Sequence, residues 1–223
     1  MFQIIKYTIV PRNQTLYWCP KLGDEIELEI LKKCQEIHTT LENFIEETDY
    51  RIYYRTTGGL YWKVFTDFSP LFKLNGKRGH STRETSINLR KLSYVRPIIA
   101  VLSSDIFWWW YTISTTCRDL NPTDIKSFPI SEAILEDPTL SEMARKYLKD
   151  LEKNRSLLIR HQKQTGKTET QSFRIQKSKA IIDEIDCLLS RYYNLTSEEL
   201  NFIINYDIKY RMGVDNENNS ENE

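Results

Sequence analysis

This sequence of 223 residues has few glycines, few residue spacings typical of metal ligands and few long apolar runs. It has seven glycines, about 3% of the chain where roughly 7% is usual. Because the phosphate loops of cofactor-binding α/β folds use several glycines, no complete Rossmann-like methyltransferase domain is expected. The four cysteines lie far apart, with no C-x-x-C pair and no histidine nearby. This spacing argues against a zinc site or a disulfide framework and favours reduced thiols in a cytoplasmic protein.

A targeting or membrane segment is also missing from the pattern. The first residues do not combine a charged start with a long apolar stretch. The most apolar run, residues 98–113, contains two serines and an aspartate and is too short to span a bilayer. We therefore expect a chain without a membrane partner and interpret this run as a buried helix.

The hydrophobic patterning predicts an α+β fold, with a small mixed or antiparallel sheet region and a buried aromatic helix flanked by long helices. β-Branched and aromatic composition predicts strands at residues 2–10, 52–54, 60–65 and 87–89. A turn at Thr57-Gly58-Gly59 joins the second and third of these strands. Apolar periodicity predicts helices at residues 24–47, 97–113, 139–161, 181–192 and 196–204, the last opened by a capping box of Thr196 and Glu199. Residues 162–170 have the composition of a polar break.

Four regions follow from this pattern. They are an N-terminal strand with an acidic helix at 1–50, a basic and aromatic region at 51–130, a helical region at 131–212 and a disordered acidic tail at 213–223.

The net charge of zero hides opposite charge blocks. Basic and acidic side chains number 31 each. Residues 51–96 nevertheless contain ten basic and two acidic side chains, a net charge of +8, and residues 131–180 have a further excess of +4. A surface without functional bias would mix the two signs. This block supplies the candidate nucleic-acid contacts: Arg51, Arg55, Lys63, Lys73, Lys77, Arg78, His80 and Arg83.

Each feature of this region has two interpretations. Strands rich in Arg and Lys can meet phosphates and fork onto base edges, or their aromatic residues can face a core while the basic ones solvate the outer face. The loop from Gly76 to Arg83 can insert into a groove or be a disordered surface loop. The aromatic run from Phe107 to Tyr111 is expected to pack on the core and on another element, with base stacking as the alternative.

Each partial match to a catalytic motif in the sequence lacks residues that the motif requires. Gly166-Lys167-Thr168 resembles the end of a phosphate-binding loop but lacks the earlier glycine. Asn121-Pro122 lacks the second proline and the aromatic residue of the N-P-P-[YF] motif. There is no F-x-G-x-G loop for S-adenosylmethionine and no P-D…D/E-x-K nuclease pattern. No catalytic, cofactor-binding or metal-binding residue is therefore predicted.

Several segments, taken in order, resemble a known family. The segments are 53–63 (YYRTTGGLYWK), 102–110 (LSSDIFWWW), 117–120 (CRDL), 128–130 (FPI), 182–186 (IDEID), 192–200 (YYNLTSEEL) and 204–207 (INYD). They are similar to the C-terminal target-recognition region of adenine-specific DNA methyltransferases. That family includes the fused type IIG restriction–modification enzymes with TaqI-like specificity domains. The resemblance covers most of residues 20–212.

The resemblance implies a recognition role without chemistry. The expected partners are double-stranded DNA and a separate methyltransferase or restriction–modification subunit, which would hold S-adenosylmethionine and flip the target adenine out of the stack. The alternative is an interaction protein, or the remnant of a split methyltransferase gene, that does not bind DNA.

Overall fold

A computed structural model describes residues 19–57, 62–163 and 166–212. Three predictions concern residues outside these ranges: the strand at 2–10, the Gly58-Gly59 turn with the start of the following strand, and the tail from residue 213. None of the helices in the described part of the chain has the length and apolar content needed to cross a bilayer.

The described residues form an α+β fold, as predicted, with two small antiparallel sheets and a buried aromatic cluster. The helices are α1 (Glu25–Gln35), α2 (Val95–Ser103), α3 (Asp105–Ser114), α4 (Pro122–Lys126), α5 (Glu132–Leu135), α6 (Pro138–Lys153), α7 (Lys179–Tyr192), α8 (Ser197–Asn205) and α9 (Ile208–Met212). The strands are β1 (Arg51–Arg55), β2 (Phe65–Thr66), β3 (Phe72–Leu74), β4 (Lys77–Arg78), β5 (Glu84–Asn88), β6 (Arg155–Gln162) and β7 (Gly166–Phe173).

The first sheet has the strand order β2-β1-β5, and both pairs are antiparallel. Alternate residues of β1 face opposite sides, as a strand requires. Ile52 and Tyr54 are buried in the core, whereas Arg51 is exposed and Arg55 is half-buried. The predicted strand at 60–65 is confirmed only at its end: Phe65 lies opposite Tyr54, but residues 62–64 are not in a strand.

The aromatic run is buried, although the helix that carries it differs from the prediction. Two helices replace the single helix expected at 97–113, and they meet at Ser104, whose extended backbone breaks the hydrogen-bond ladder. The Ser104 hydroxyl accepts a hydrogen bond from the Phe107 N–H and caps α3. All five rings from Phe107 to Tyr111 are at most 5% exposed. Packing, rather than base stacking, is therefore the role of these rings.

The first helix is also shorter than predicted. It begins after the cap residue Asp24, as expected, but ends at Gln35, and residues 41–44 form a separate 3-10 helix. The chain turns between them because Thr39 bonds to a neighbouring segment: its hydroxyl donates to the Ile130 carbonyl at 2.6 Å, and the Ile130 N–H donates to the Thr39 carbonyl. Tertiary pairing overrides the helical periodicity here.

The largest correction concerns the predicted helix at 139–161 and the polar break at 162–170. Helix α6 ends at Lys153, and β6 and β7 follow as an antiparallel hairpin. The three consecutive apolar residues 157–159 do not fit a helix face, and the alternating Thr168, Thr170 and Ser172 suit a strand. This hairpin joins β3 and β4 in a second sheet, with the order β4-β3-β7-β6.

Buried apolar side chains from residues 30 to 203 belong to one cluster. It includes members of all three regions predicted between residues 1 and 212, so these regions share one core. The predicted cap at Thr196 is confirmed, because its hydroxyl accepts from Glu199 N–H while the Glu199 carboxylate accepts from Thr196 N–H.

Candidate nucleic-acid interface

The second sheet brings two turns to the same end. Asn75 and Gly76 form the turn between β3 and β4, both with positive φ, 50° and 80°. The Asn75 N–H donates to the Lys167 carbonyl, and the Lys167 N–H donates to Asn75 Oδ1, both at 2.8 Å. Gly166 is required beside them, because a Cβ at that position would lie 2.2 Å from Asn75 Oδ1. The turn between β3 and β4 is thus hydrogen-bonded to Lys167, near the start of β7.

This sheet and its turns carry a strong excess of positive charge. The described residues from 72 to 78, 155 to 163 and 166 to 173 include seven basic side chains: Lys73, Lys77, Arg78, Arg155, Arg160, Lys163 and Lys167. Glu169 is the one acidic side chain among them. Its carboxylate lies 2.7 Å from the Lys167 Nζ and 3.6 Å from the Lys73 Nζ, and these contacts lower the Glu169 pKa.

The strand register shows how the cations are distributed over the two faces. Lys77 lies opposite Leu74, Leu74 opposite Thr168, and Thr168 opposite Arg160. Since directly opposed residues share a face, this row has a cation at each edge and no carboxylate. Adjacent strands are about 4.8 Å apart, so the backbones of Lys77 and Arg160 are about 14 Å apart. The opposite face holds the Glu169 ion pairs.

Arg160 also links the second sheet to the first. Burial lowers the pKa of Arg55, the last residue of β1, and the positive charges of Arg83 and Arg160 lower it further. Glu84, opposite Arg55 in the ladder, acts in the other direction. The Thr56 N–H donates to the Arg83 carbonyl at 2.9 Å and holds that segment beside β1. Three guanidinium groups thus share one region of positive potential, a setting suited to phosphate oxygens.

The remaining predicted contacts are placed differently. Arg51 is exposed at the other end of β1 and pairs with Asp49 at 3.4 Å. Lys63 is buried, its Nζ lying 5.3 Å from the centre of the Tyr111 ring, and burial lowers its pKa. His80 is exposed just after β4. Lys73, Lys77 and Arg78 therefore join the sheet, Arg55 and Arg83 border it, and Lys63 is enclosed.

The sequence pattern did not indicate four of the sheet's seven cations. Arg155, Arg160, Lys163 and Lys167 come from a segment interpreted as a helix end and a polar break. The sequence did show a net charge of +4 over residues 131–180. Only the strand pairing shows that these cations lie beside those of the basic block at 51–96. Likewise, residues 76–78 belong to an ordered hairpin instead of a free loop.

A second charged group is buried among the helices. Oxygens of Asp105, Asp183 and Asp186 lie close enough together to hold a metal ion. Two cations already occupy this cluster: Lys179 pairs with Asp105 at 3.0 Å and with Asp183, and Arg211 pairs with Asp105. Asp186 instead accepts the backbone N–H groups of Asp105 and Ile106, at 2.9 and 3.1 Å, in the first turn of α3. These contacts indicate a structural network in which no metal is needed.

Arg211 connects this network to the start of the aromatic region. Its guanidinium carbon lies 4.0 Å from the centre of the Trp62 ring and 5.3 Å from that of Trp108. The Trp62 indole N–H donates to the Arg211 carbonyl at 2.8 Å. Helix α9 is fixed in place by these contacts.

No protein-family profile, curated protein or solved structure matches this chain. The resemblance to methyltransferase recognition regions therefore depends on the sequence segments named above.

Proposed function

We propose that this chain is a target-recognition module that binds duplex DNA through the β4-β3-β7-β6 sheet. The observation that supports this most strongly is the sheet's seven basic side chains against a single carboxylate. They are drawn from two separate basic segments and lie on exposed or half-exposed strands. Phosphate contacts of this kind provide most of the affinity of a protein for DNA.

The size of the sheet suits a DNA groove. Strands β6 and β7 have eight residues each, a length of about 26 Å. The major groove is about 12 Å wide, whereas the Lys77 and Arg160 backbones at the two edges of the sheet are about 14 Å apart. These two residues, which share one face of the sheet, can therefore reach phosphates on both sides of the groove. Arg160 can also fork onto a guanine edge, while Lys77 positions a phosphate.

A separate partner subunit catalyses the methyl transfer. The chain's resemblance to target-recognition regions, and its incomplete cofactor and N-P-P-[YF] motifs, support a separate methyltransferase or restriction–modification subunit that supplies S-adenosylmethionine. The recognition chain would hold the duplex while the partner acts on an extruded adenine.

The test is a fluorescence anisotropy titration of the full chain against a labelled 30-base-pair duplex over a range of salt concentrations. The logarithm of the binding constant should fall by about 0.9 per log unit of salt for each neutralised phosphate. A double variant, Lys77→Ala with Arg160→Ala, should reduce that slope by about 2 and weaken binding at least about tenfold.

The matched control removes two cations from exposed helix positions, with Lys32→Ala and Lys149→Ala. Its slope and affinity should stay close to those of the unmodified chain. Equal losses in both variants would mean that the total charge, and not the sheet, attracts DNA. Binding with no salt dependence would overturn the proposal.

A further inference from the structure

Strand β6 forms an open edge of the second sheet. β7 pairs with one side of it over all eight residues, and no strand of the described residues pairs with the other side. At its centre, Leu157, Leu158 and Ile159 are 49%, 42% and 48% exposed. Three consecutive residues point to both faces of a sheet, so the apolar surface lies on the edge itself and continues onto both faces.

Hydrogen-bond alternation shows which backbone groups the edge offers. The Arg174 N–H donates to the Asn154 carbonyl just before the ladder begins. In an antiparallel pair, the residues that bond across alternate with those that bond outward. Even-numbered β6 residues therefore bond to β7, and Arg155, Leu157, Ile159 and His161 direct their N–H and C=O groups outward.

Natural edge strands usually avoid pairing by being short, bulged, or charged at the centre. β6 is long, and cations flank its apolar centre: Arg155, which pairs with Glu152 at 3.7 Å, on one side, and Arg160 with Lys163, just past the strand, on the other. Neighbouring strands add further cations, with Glu169 the one carboxylate of the sheet. The edge is thus apolar in the middle and basic around it.

This charge pattern disfavours a second copy of the chain. Antiparallel self-pairing that aligns the two apolar centres sets Leu158 opposite Leu158, and Arg155 opposite His161. It also brings Arg155 of one copy diagonally next to Lys163 of the other, within reach of long side chains. Both ends of such a pair would then bring cations together, with the exposed Glu152 beside Arg155 as the one nearby carboxylate of the described residues, and like charges across a sheet are destabilising.

We propose that the outer edge of β6 binds an extended partner-protein segment in which apolar residues alternate with acidic ones, as an added strand of the sheet. The backbone groups of Leu157 and Ile159 supply hydrogen bonds, the apolar centre supplies buried surface, and the basic ends select acidic neighbours. This inference concerns protein recognition and does not depend on DNA binding.

The probe is a capped ten-residue peptide of alternating valine and glutamate, titrated into the full chain without DNA and followed by isothermal calorimetry. Ile159→Pro removes an outward N–H while leaving the β6–β7 hydrogen bonds in place. It should weaken binding at least tenfold. Leu92→Ser, which alters another exposed leucine at 66% exposure, is the control and should bind as the unmodified chain does.

A second variant keeps the test decisive if Ile159→Pro unfolds. Leu157→Ser with Ile159→Ser retains both N–H groups and removes the apolar surface, and it should also weaken binding at least tenfold. A valine–lysine peptide should bind at least tenfold more weakly than the valine–glutamate peptide.

Equal affinity for the two peptides, or unchanged affinity in both β6 variants, would overturn the proposal. So would concentration-dependent dimerisation in sedimentation experiments that Ile159→Pro abolishes, because the edge would then bind a second copy. Since no DNA is present, failure here is separate from failure of the salt-dependent DNA titration.

Discussion

Charged side chains are arranged in opposite ways in two regions of this molecule. Among the helices, Asp105 and Asp186 are fully buried, and Lys179 and Arg211 are nearly so, with each cation paired to a carboxylate. In the second sheet the cations are largely exposed, and Glu169 is the one carboxylate in its strands and turns. Buried charges need partners to offset the cost of desolvation. Exposed ones of a single sign raise the local potential and attract a ligand of the opposite sign. The first region therefore fixes the fold, and the second is where binding is expected.

The largest effect expected within this comparison is the loss of Arg211. Arg211→Met leaves Asp105 with one buried cation and removes the contacts with the Trp62 and Trp108 rings. Breaking a buried pair in this way costs about 3–5 kcal/mol. Urea unfolding should show this loss. Lys209→Met, at an exposed position two residues earlier, should change stability by less than about 0.5 kcal/mol. Similar stability in both variants would mean that the network contributes little.

Two leucines seven residues apart compare the regions directly. Leu151 in α6 is fully buried, whereas Leu158 in β6 is 42% exposed. Leu151→Ala should cost about 2–5 kcal/mol through lost burial and the cavity that it leaves. Leu158→Ala should cost less than about 0.5 kcal/mol. Thermal unfolding of both variants measures the contrast. A large loss from Leu158→Ala would show that β6 is packed against something in solution.

The same two leucines explain why the sequence misassigned this segment. A spacing of seven continues a helical stripe, so Leu158 extends the periodicity of α6 beyond its true end. Local signals of the helix end, Lys153 followed by Asn154, are present but weak beside this continued stripe. The strand forms because β7 pairs with both β6 and β3, and β3 lies some ninety residues earlier in the chain. Pairing over such a separation is not visible in a local pattern.

Other parts of the fold are encoded locally and were predicted. The Thr196 capping box starts a helix as predicted, and a helix begins next to Asp24 as predicted, since each start needs only a few neighbouring residues. The five aromatic rings from residue 107 were expected in a buried helix and lie in one. For the candidate site, composition indicated the basic block at 51–96. Burial of Lys63 and the recruitment of Arg160 depend on tertiary packing and could not be predicted.

The buried carboxyl of Asp186 predicts a pH effect confined to the helical region. Burial, and next the charge of Asp105, raise the pKa of Asp186 well above its ordinary value. A raised carboxyl pKa stabilises the folded chain fully below the unfolded value of about 3.9. That stabilisation is lost as the pH rises towards the folded pKa. The difference in unfolding free energy between the unmodified chain and Asp186→Asn should therefore fall with rising pH, by at most about 1.4 kcal/mol per pH unit.

The measurement is urea unfolding of both proteins between pH 4 and pH 8. The asparagine side chain does not titrate, so groups that do not interact with Asp186 cancel in the difference, which reports the joint titration of Asp186 and Asp105. A difference that stays constant, or grows with pH, would contradict a raised pKa for Asp186 in the helical network.

The smallest effect tests the sheet through its single carboxylate. Glu169→Gln removes the ion pairs with Lys73 and Lys167 on the face opposite Lys77 and Arg160, so it should act by raising the local positive potential. Affinity for the labelled duplex should rise by about twofold at low salt, and the gain should shrink as salt screens the charges. Glu142→Gln, which frees the exposed Arg145 on α6, removes one negative charge elsewhere and serves as the control. The sheet is the DNA-binding surface only if Glu169→Gln raises affinity more than Glu142→Gln does, because a nonspecific charge effect would make the two gains equal.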